Sequence, residues 1–164
     1  MIPGLPENPS RRTLARLIAG TAAMAATPAL AGHCPASDRL ASPRQIEDRD
    51  DIDVTRETLA EIPIKGWRGM GDFRLRMRKL TVAKGGQIPT HYHDDRPSIV
   101  WVLQGDAEEH STLCKSPIRY RAGEWSPEFG PGTGHWWRNV GDGDLVFLSA
   151  DIILPEWSEV AMMD

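Results

Sequence analysis

Gly86-Gln87-Ile88-Pro89-Thr90-His91-Tyr92-His93-Asp94-Asp95-Arg96-Pro97-Ser98-Ile99-Val100-Trp101-Val102-Leu103-Gln104-Gly105 and, further on, Gly130-Pro131-Gly132-Thr133-Gly134-His135-Trp136-Trp137-Arg138-Asn139 decide how this chain is read. In extended backbone, side chains two residues apart point the same way, so His91 and His93 share a face and Tyr92 takes the other. His135 must arrive on a different strand. Imidazole suits iron, manganese, zinc, copper and nickel, so three converging histidines define a metal site without choosing the metal. His33 and His110 have no comparable setting and read as ordinary structural residues.

The residues around these stretches have the period of strands. Phe73, Leu75 and Met77 alternate with Arg74, Arg76 and Arg78, as in a strand with one wet face. The apolar set continues at Leu80 and Val82, a change of parity that a β-bulge near Arg78-Lys79 would explain. Lys84-Gly85-Gly86 reads as a turn. Ser98 to Gln104 reads as a strand buried on both faces. Gly105-Asp106, Arg121–Glu124 and Gly141–Asp144 carry hairpin chemistry, and Leu145–Leu148 and Ile152–Leu154 close the series. Many short strands with no helical period between them predict an all-β sandwich or barrel. No internal repeat or second strand series is present, so one barrel is expected.

The two quoted stretches resemble the paired motifs of the cupin family. The first motif runs Gly, five residues, His-x-His, three or four residues, Glu, six residues, Gly. Here Gly85, His91, His93 and Gly105 fall on it. The second ends Pro-x-Gly-x-x-His-x-x-x-Asn, and Gly132, His135 and Asn139 fall on that, with Gly130 in place of the Pro. The resemblance implies a double-stranded β-helix, the jelly-roll barrel of the cupins, over residues 54–155. It also implies that His91, His93 and His135 hold one divalent metal. One departure matters. Where the family has its Glu ligand this chain has Ser98, and a hydroxyl cannot provide carboxylate charge. The site is then either a three-histidine centre, as in the thiol-dioxygenase branch, or borrows an acid from Asp94, Asp95, Glu108 or Glu109. The three-histidine form is the favoured expectation, because those acids sit in turns or at unmatched spacing.

Trp137 and Asn139 share the parity of His135, which makes them candidates for the substrate side of the site; Trp137 would equally serve as core. Trp101, Trp125 and Trp136 are expected to pack sheets or a dimer contact. The Arg74, Arg76 and Arg78 row either docks an acidic ligand or is a solvated strand face, the latter being the commoner arrangement. Two readings of function follow: an iron or manganese dioxygenase of a small organic substrate, with zinc, nickel or copper as other possible ions, or a non-catalytic module that binds a small molecule or metal. A cupin sugar isomerase fits worst, since no His/Tyr acid–base pair stands at recognisable spacing.

The N-terminus reads as an address. Ser10-Arg11-Arg12-Thr13-Leu14, a weakly apolar run from Leu17 to Leu30, and Ala29-Leu30-Ala31 resemble a twin-arginine export signal over residues 1–31, cleaved after Ala31. The run is too short and too diluted for a membrane span, and His33 disfavours a lipid anchor at Cys34. The expected product is periplasmic or otherwise exported. Removing three arginines and one glutamate with the leader, from 19 basic and 23 acidic residues, leaves a formal charge of −6. That sign argues against nucleic acid as a partner. Residues 32–53, without periodicity, read as a flexible arm, and 156–164 as a tail. Cys34 and Cys114 either pair in an oxidising compartment or leave Cys34 a free thiol on that arm. A homodimer is possible.

Overall fold

The computed structural model describes residues 32–154, so the proposed export signal and the C-terminal tail lie outside the described residues. Eight strands follow in order: β1 (Ile52–Pro63), β2 (Arg74–Tyr92), β3 (Ser98–Gln104), β4 (Asp106–Ser111), β5 (Ile118–Arg121), β6 (Trp125–Glu128), β7 (Gly134–Asn139) and β8 (Leu145–Ile153), with one 3-10 turn at Trp67–Gly69. They form an antiparallel sheet in the order β5-β4-β7-β2-β8-β3-β6, with β1 also on β2. The two edge strands, β5 and β6, are joined by the turn at residues 122–124, which is fastened to β3 by Val102 N–H to Glu124 O and Gly123 N–H to Val102 O, both 2.8 Å, so the sheet curls almost into a closed barrel. Among the described residues no helix is long and apolar enough to cross a membrane.

β2 shapes this curl. Its first half, Arg74 to Val82, lies beside β8, and its second half, Gln87 to Tyr92, lies beside β7. Lys84-Gly85-Gly86 is therefore no turn between strands. It is a bend inside one strand, which passes from one wall of the barrel to the other, with Gly85 at φ +78°. The three expected hairpin turns are corners as well. β3 pairs with β6 and β8 while β4 pairs with β5 and β7, so Gly105 carries the chain across the barrel and not back along it. Its φ is +86°, and a Cβ there would stand 2.9 Å from Asp144 O, so only glycine fits the corner.

The inward face is where sequence pattern and structure part. Along the first half of β2, to Val82, the buried residues are Arg76, Arg78, Leu80 and Val82, without any change of parity, while Leu75 and Met77 are exposed. The expected wet arginine face is thus the inside, and the parity-shifting bulge is absent from this stretch. The reason is Asp151 on β8, which sits opposite Arg76 and takes both of its guanidinium contacts, Nε to Oδ1 at 3.0 Å and Nη2 to Oδ2 at 2.7 Å. A bidentate ion pair satisfies an arginine that water would otherwise claim. Likewise β3 is buried on one face only: Val100 and Val102 point in, and Ile99, Trp101 and Leu103 point out.

The interior accordingly has two ends. Leu80, Val82, Val100, Val102, Trp137, Leu145 and Phe147 fill one with an apolar core. The other holds an inward row at one level, Arg76, Asp151, Ser98 and Glu128, each the register partner of the next across β2, β8, β3 and β6. The segment before β1, expected to be flexible, is fastened to the barrel by backbone hydrogen bonds Gly32 N–H to Arg119 O (2.8 Å), Leu40 N–H to Leu113 O (3.0 Å) and Arg44 N–H to Thr112 O (2.9 Å). Cys34 and Cys114 are joined in a disulfide, so neither is a free thiol. Missing periodicity said only that the segment is not a strand; it carried no information about hydrogen bonds to loops.

Candidate metal centre

His91 lies near the end of β2, His93 just beyond it, and His135 on β7 directly across the ladder from His91. The loop carrying His93 is drawn to β7 by His93 N–H to Thr133 O at 2.7 Å. Tyr92 turns outward and packs over Gly134, where a Cβ would stand 2.5 Å from its ring. The ligating atoms of the three histidines all lie within 4.8 Å of one another, and His135 Nε2 is 3.2 Å from both His91 Nε2 and His93 Nε2.

Protons settle what that closeness means. Each Nδ1 faces a pure acceptor: Pro89 O for His91 (2.8 Å), Arg96 O for His93 (2.9 Å) and the Glu109 carboxylate for His135 (2.8 Å). A neutral imidazole has one proton, and in each ring it is held at Nδ1. In their neutral forms, the forms that bind a metal, all three rings therefore turn hydrogen-free Nε2 lone pairs toward one point. Nitrogen donors at about 2.1 Å from one ion stand about 3 Å apart when at right angles, close to the spacing seen here. Burial, then the neighbouring histidines, hold His91 well below its usual range. Burial, then His135 and Arg96, push His93 down to about 3. Burial lowers His135 as well, but Glu128 and Glu109 outweigh it and raise its pKa. The donor set fits a cation.

A carboxylate completes the surroundings, from a residue the sequence reading missed. Glu128, buried at the end of β6, brings Oε2 to 3.3 Å from His93 Nε2 and Oε1 to 3.6 Å from His135 Nε2. Burial raises its pKa, with Glu109 adding to this against His135 and the Ser98 hydroxyl, which bonds to it. Ser98 and Glu128 are ladder partners, so the carboxylate absent from β3 is present one strand away at the same level. The four acids suggested as substitutes do other things. Glu109 holds His135 Nδ1 and the Tyr120 hydroxyl (2.8 Å), from behind the ring. Glu108 pairs with His110 and Arg119, Asp94 accepts from Gly132 N–H, and Asp95 is exposed.

Trp137 and Asn139 do not line the opening of the site. Trp137 is buried between Tyr120 and Phe147, with its ring 5.5 Å from that of His135, and so backs the histidine from the core side. Asn139 donates its amide hydrogens among Val82 O, Ala83 O and Gly143 O and accepts from Gly141 N–H, a clamp on the β7–β8 corner. Its polar atoms are fully engaged by backbone. Trp136 faces the opposite side of β7, stacked on His110 at 3.7 Å.

No family model matches the chain in sequence, and no curated protein matches it. Solved structures do. KdgF from Halomonas sp. superposes with a TM-score of 0.50 at 18% identity, covering 67% of this chain and 90% of that one. A Cupin 2 conserved barrel domain protein from Salinispora arenicola gives 0.47 at 19% identity over 68% of this chain and 88% of that one. The Schizosaccharomyces pombe Cnp3 cupin domain gives 0.47 at 12% identity, and this chain spans 62% of it. The fold is an all-β, nearly closed barrel of the double-stranded β-helix class. Within it, the histidines sit at one end of the interior and the apolar core at the other.

Proposed function

We propose that this chain is an exported metal-binding cupin, in which His91, His93 and His135 hold one divalent ion beside Glu128 and act on a small organic substrate as a dioxygenase. The observation that carries the reading is the convergence of three Nε2 atoms, each the free ligand atom of a neutral ring whose Nδ1 faces an acceptor. Iron or manganese is the proposed ion. A twin-arginine substrate folds before crossing the membrane and so takes its metal inside, away from the copper and zinc that would otherwise win on affinity. Bound iron would bring redox chemistry toward molecular oxygen. The chain's own residues orient the imidazoles and keep a buried carboxylate beside them. The disulfide supports the export reading, since such bonds persist in oxidising compartments.

Metal analysis of protein purified from its native compartment tests the centre. One equivalent of iron or manganese is expected, lost on His135→Ala; wild-type protein without bound metal would end the reading. Oxygen uptake against thiols, diketones and phenols tests the chemistry, with His135→Ala as control. Metal without uptake on any of them would leave the non-catalytic binding module as the function. Arg11→Lys with Arg12→Lys should trap the protein inside the cell, and unchanged export would remove the twin-arginine assignment.

A further inference from the structure

Three guanidinium groups at the polar end of the barrel converge on one carboxylate. Arg76 occupies both oxygens of Asp151. Arg78 is left with a single contact to Asp151 Oδ2 at 3.2 Å, and Arg96, from the β2–β3 loop, comes no nearer than 3.8 Å. Arg76 Nη1 and Arg78 Nε are buried without any hydrogen-bond partner among the described residues. Buried donors without acceptors are costly, and a positive charge more so. Glu128, the next carboxylate, is bonded to Ser98 and stands among the histidines. The cluster is short of anionic oxygen.

Beside it lies a cleft of about 50 Å³. Arg78, Arg96 and His91 line it with polar groups and Leu80, Ile88 and Pro89 with apolar ones; Arg56, which also lines it, is already engaged by Asp51. At 10–15 Å³ for each water-sized position, the volume holds roughly three to five non-hydrogen atoms. That is room for a carboxylate and one or two atoms more.

We propose that Arg78 and Arg96 bind the carboxylate of a small organic acid, whose adjoining atoms lie against His91. A planar guanidinium fork matches the two oxygens of a carboxylate. Phosphate fits less well: its four tetrahedral oxygens would set some against Leu80, Ile88 and Pro89, which offer no donor. The short apolar wall favours a one- or two-carbon aliphatic body over a second charged group. The arginine subsite stands without a metal; only the role of His91 rests on the metal reading above.

Calorimetric titration of the purified protein with propionate, propionamide and inorganic phosphate, before and after metal removal, tests the assignment. Propionate should bind both forms, at least tenfold tighter than its neutral amide and tighter than phosphate. Arg96→Gln, in a loop and partly exposed, should weaken propionate at least tenfold while metal content and melting temperature stay as in wild type. Arg78→Lys keeps the charge and loses the fork, and should weaken it by a similar factor. Equal binding of propionate and propionamide, tighter binding of phosphate, or an Arg96→Gln effect below threefold would overturn the proposal. If wild-type protein holds no metal yet the Arg96 effect remains, the metal reading fails and the carboxylate site stands.

Discussion

Glu109 touches no position a metal would occupy, yet it fixes the proton of His135 at Nδ1 and adds negative charge behind the ring. Outer carboxylates of this kind typically change metal affinity about 10- to 100-fold. Glu109→Gln should therefore lower metal affinity by about that factor while leaving the barrel folded, measured by competition with a chelator and by circular dichroism. An unchanged affinity would mean that the backbone acceptors alone order the site. The histidines themselves were legible from sequence because strand parity places His91 and His93 together and motif spacing brings His135 to them. Glu128 was not legible, since its relation to Ser98 is a hydrogen-bonded ladder between strands and has no fixed spacing along the chain. Asn139 was legible as inward-facing but not as a clamp, because parity says where a side chain points and nothing about what it meets.

At the level of strands, the row Arg76–Asp151–Ser98–Glu128 behaves as one unit. Exchanging its last two members tests whether position in the row matters more than position in the chain. Glu128→Ser should weaken metal binding, and adding Ser98→Glu should restore it; a double variant no better than the single one would refute row equivalence. The other end of the row is structural. Arg76 and Asp151 are each 1% exposed, so Asp151→Asn leaves Arg76 and Arg78 without a counter-charge and should cost about 3–5 kcal/mol in denaturant unfolding. Adding Arg76→Met should recover part of that loss, and no recovery would show that the charge imbalance is not the cause. This row is also why β2 was read inside out. Leu75 and Met77 look like a core face and Arg76 and Arg78 like a surface face until the partner carboxylate on β8, which sequence does not place, is known.

For the molecule as a whole, the Cys34–Cys114 bond closes a ring with a sequence separation of 80 and ties the N-terminal segment to the barrel. Chain-entropy arguments give such a ring about 4.5 kcal/mol of stability, so reduction should lower the melting temperature; a melting curve indifferent to reductant would place the segment's anchoring in its hydrogen bonds alone. The barrel was readable from strand spacing and paired motifs, whereas the ring was left open because two cysteines far apart in sequence carry no geometric relation until the segment is docked. The ring also has a mechanical meaning. Tension applied at the two ends of the chain runs from Cys34 directly to Cys114 through the sulfur bridge, and β1 to β4, with His91 and His93, hang outside the loaded path. An unfolding motor or an optical trap would then stretch only the flanking segments. The oxidised chain should extend about 270 Å less than the reduced one, from 80 residues at about 3.4 Å each. A pull that destroys the second half of the barrel would leave the stretch bearing two of the three histidines unloaded, a shunt that disappears on reduction.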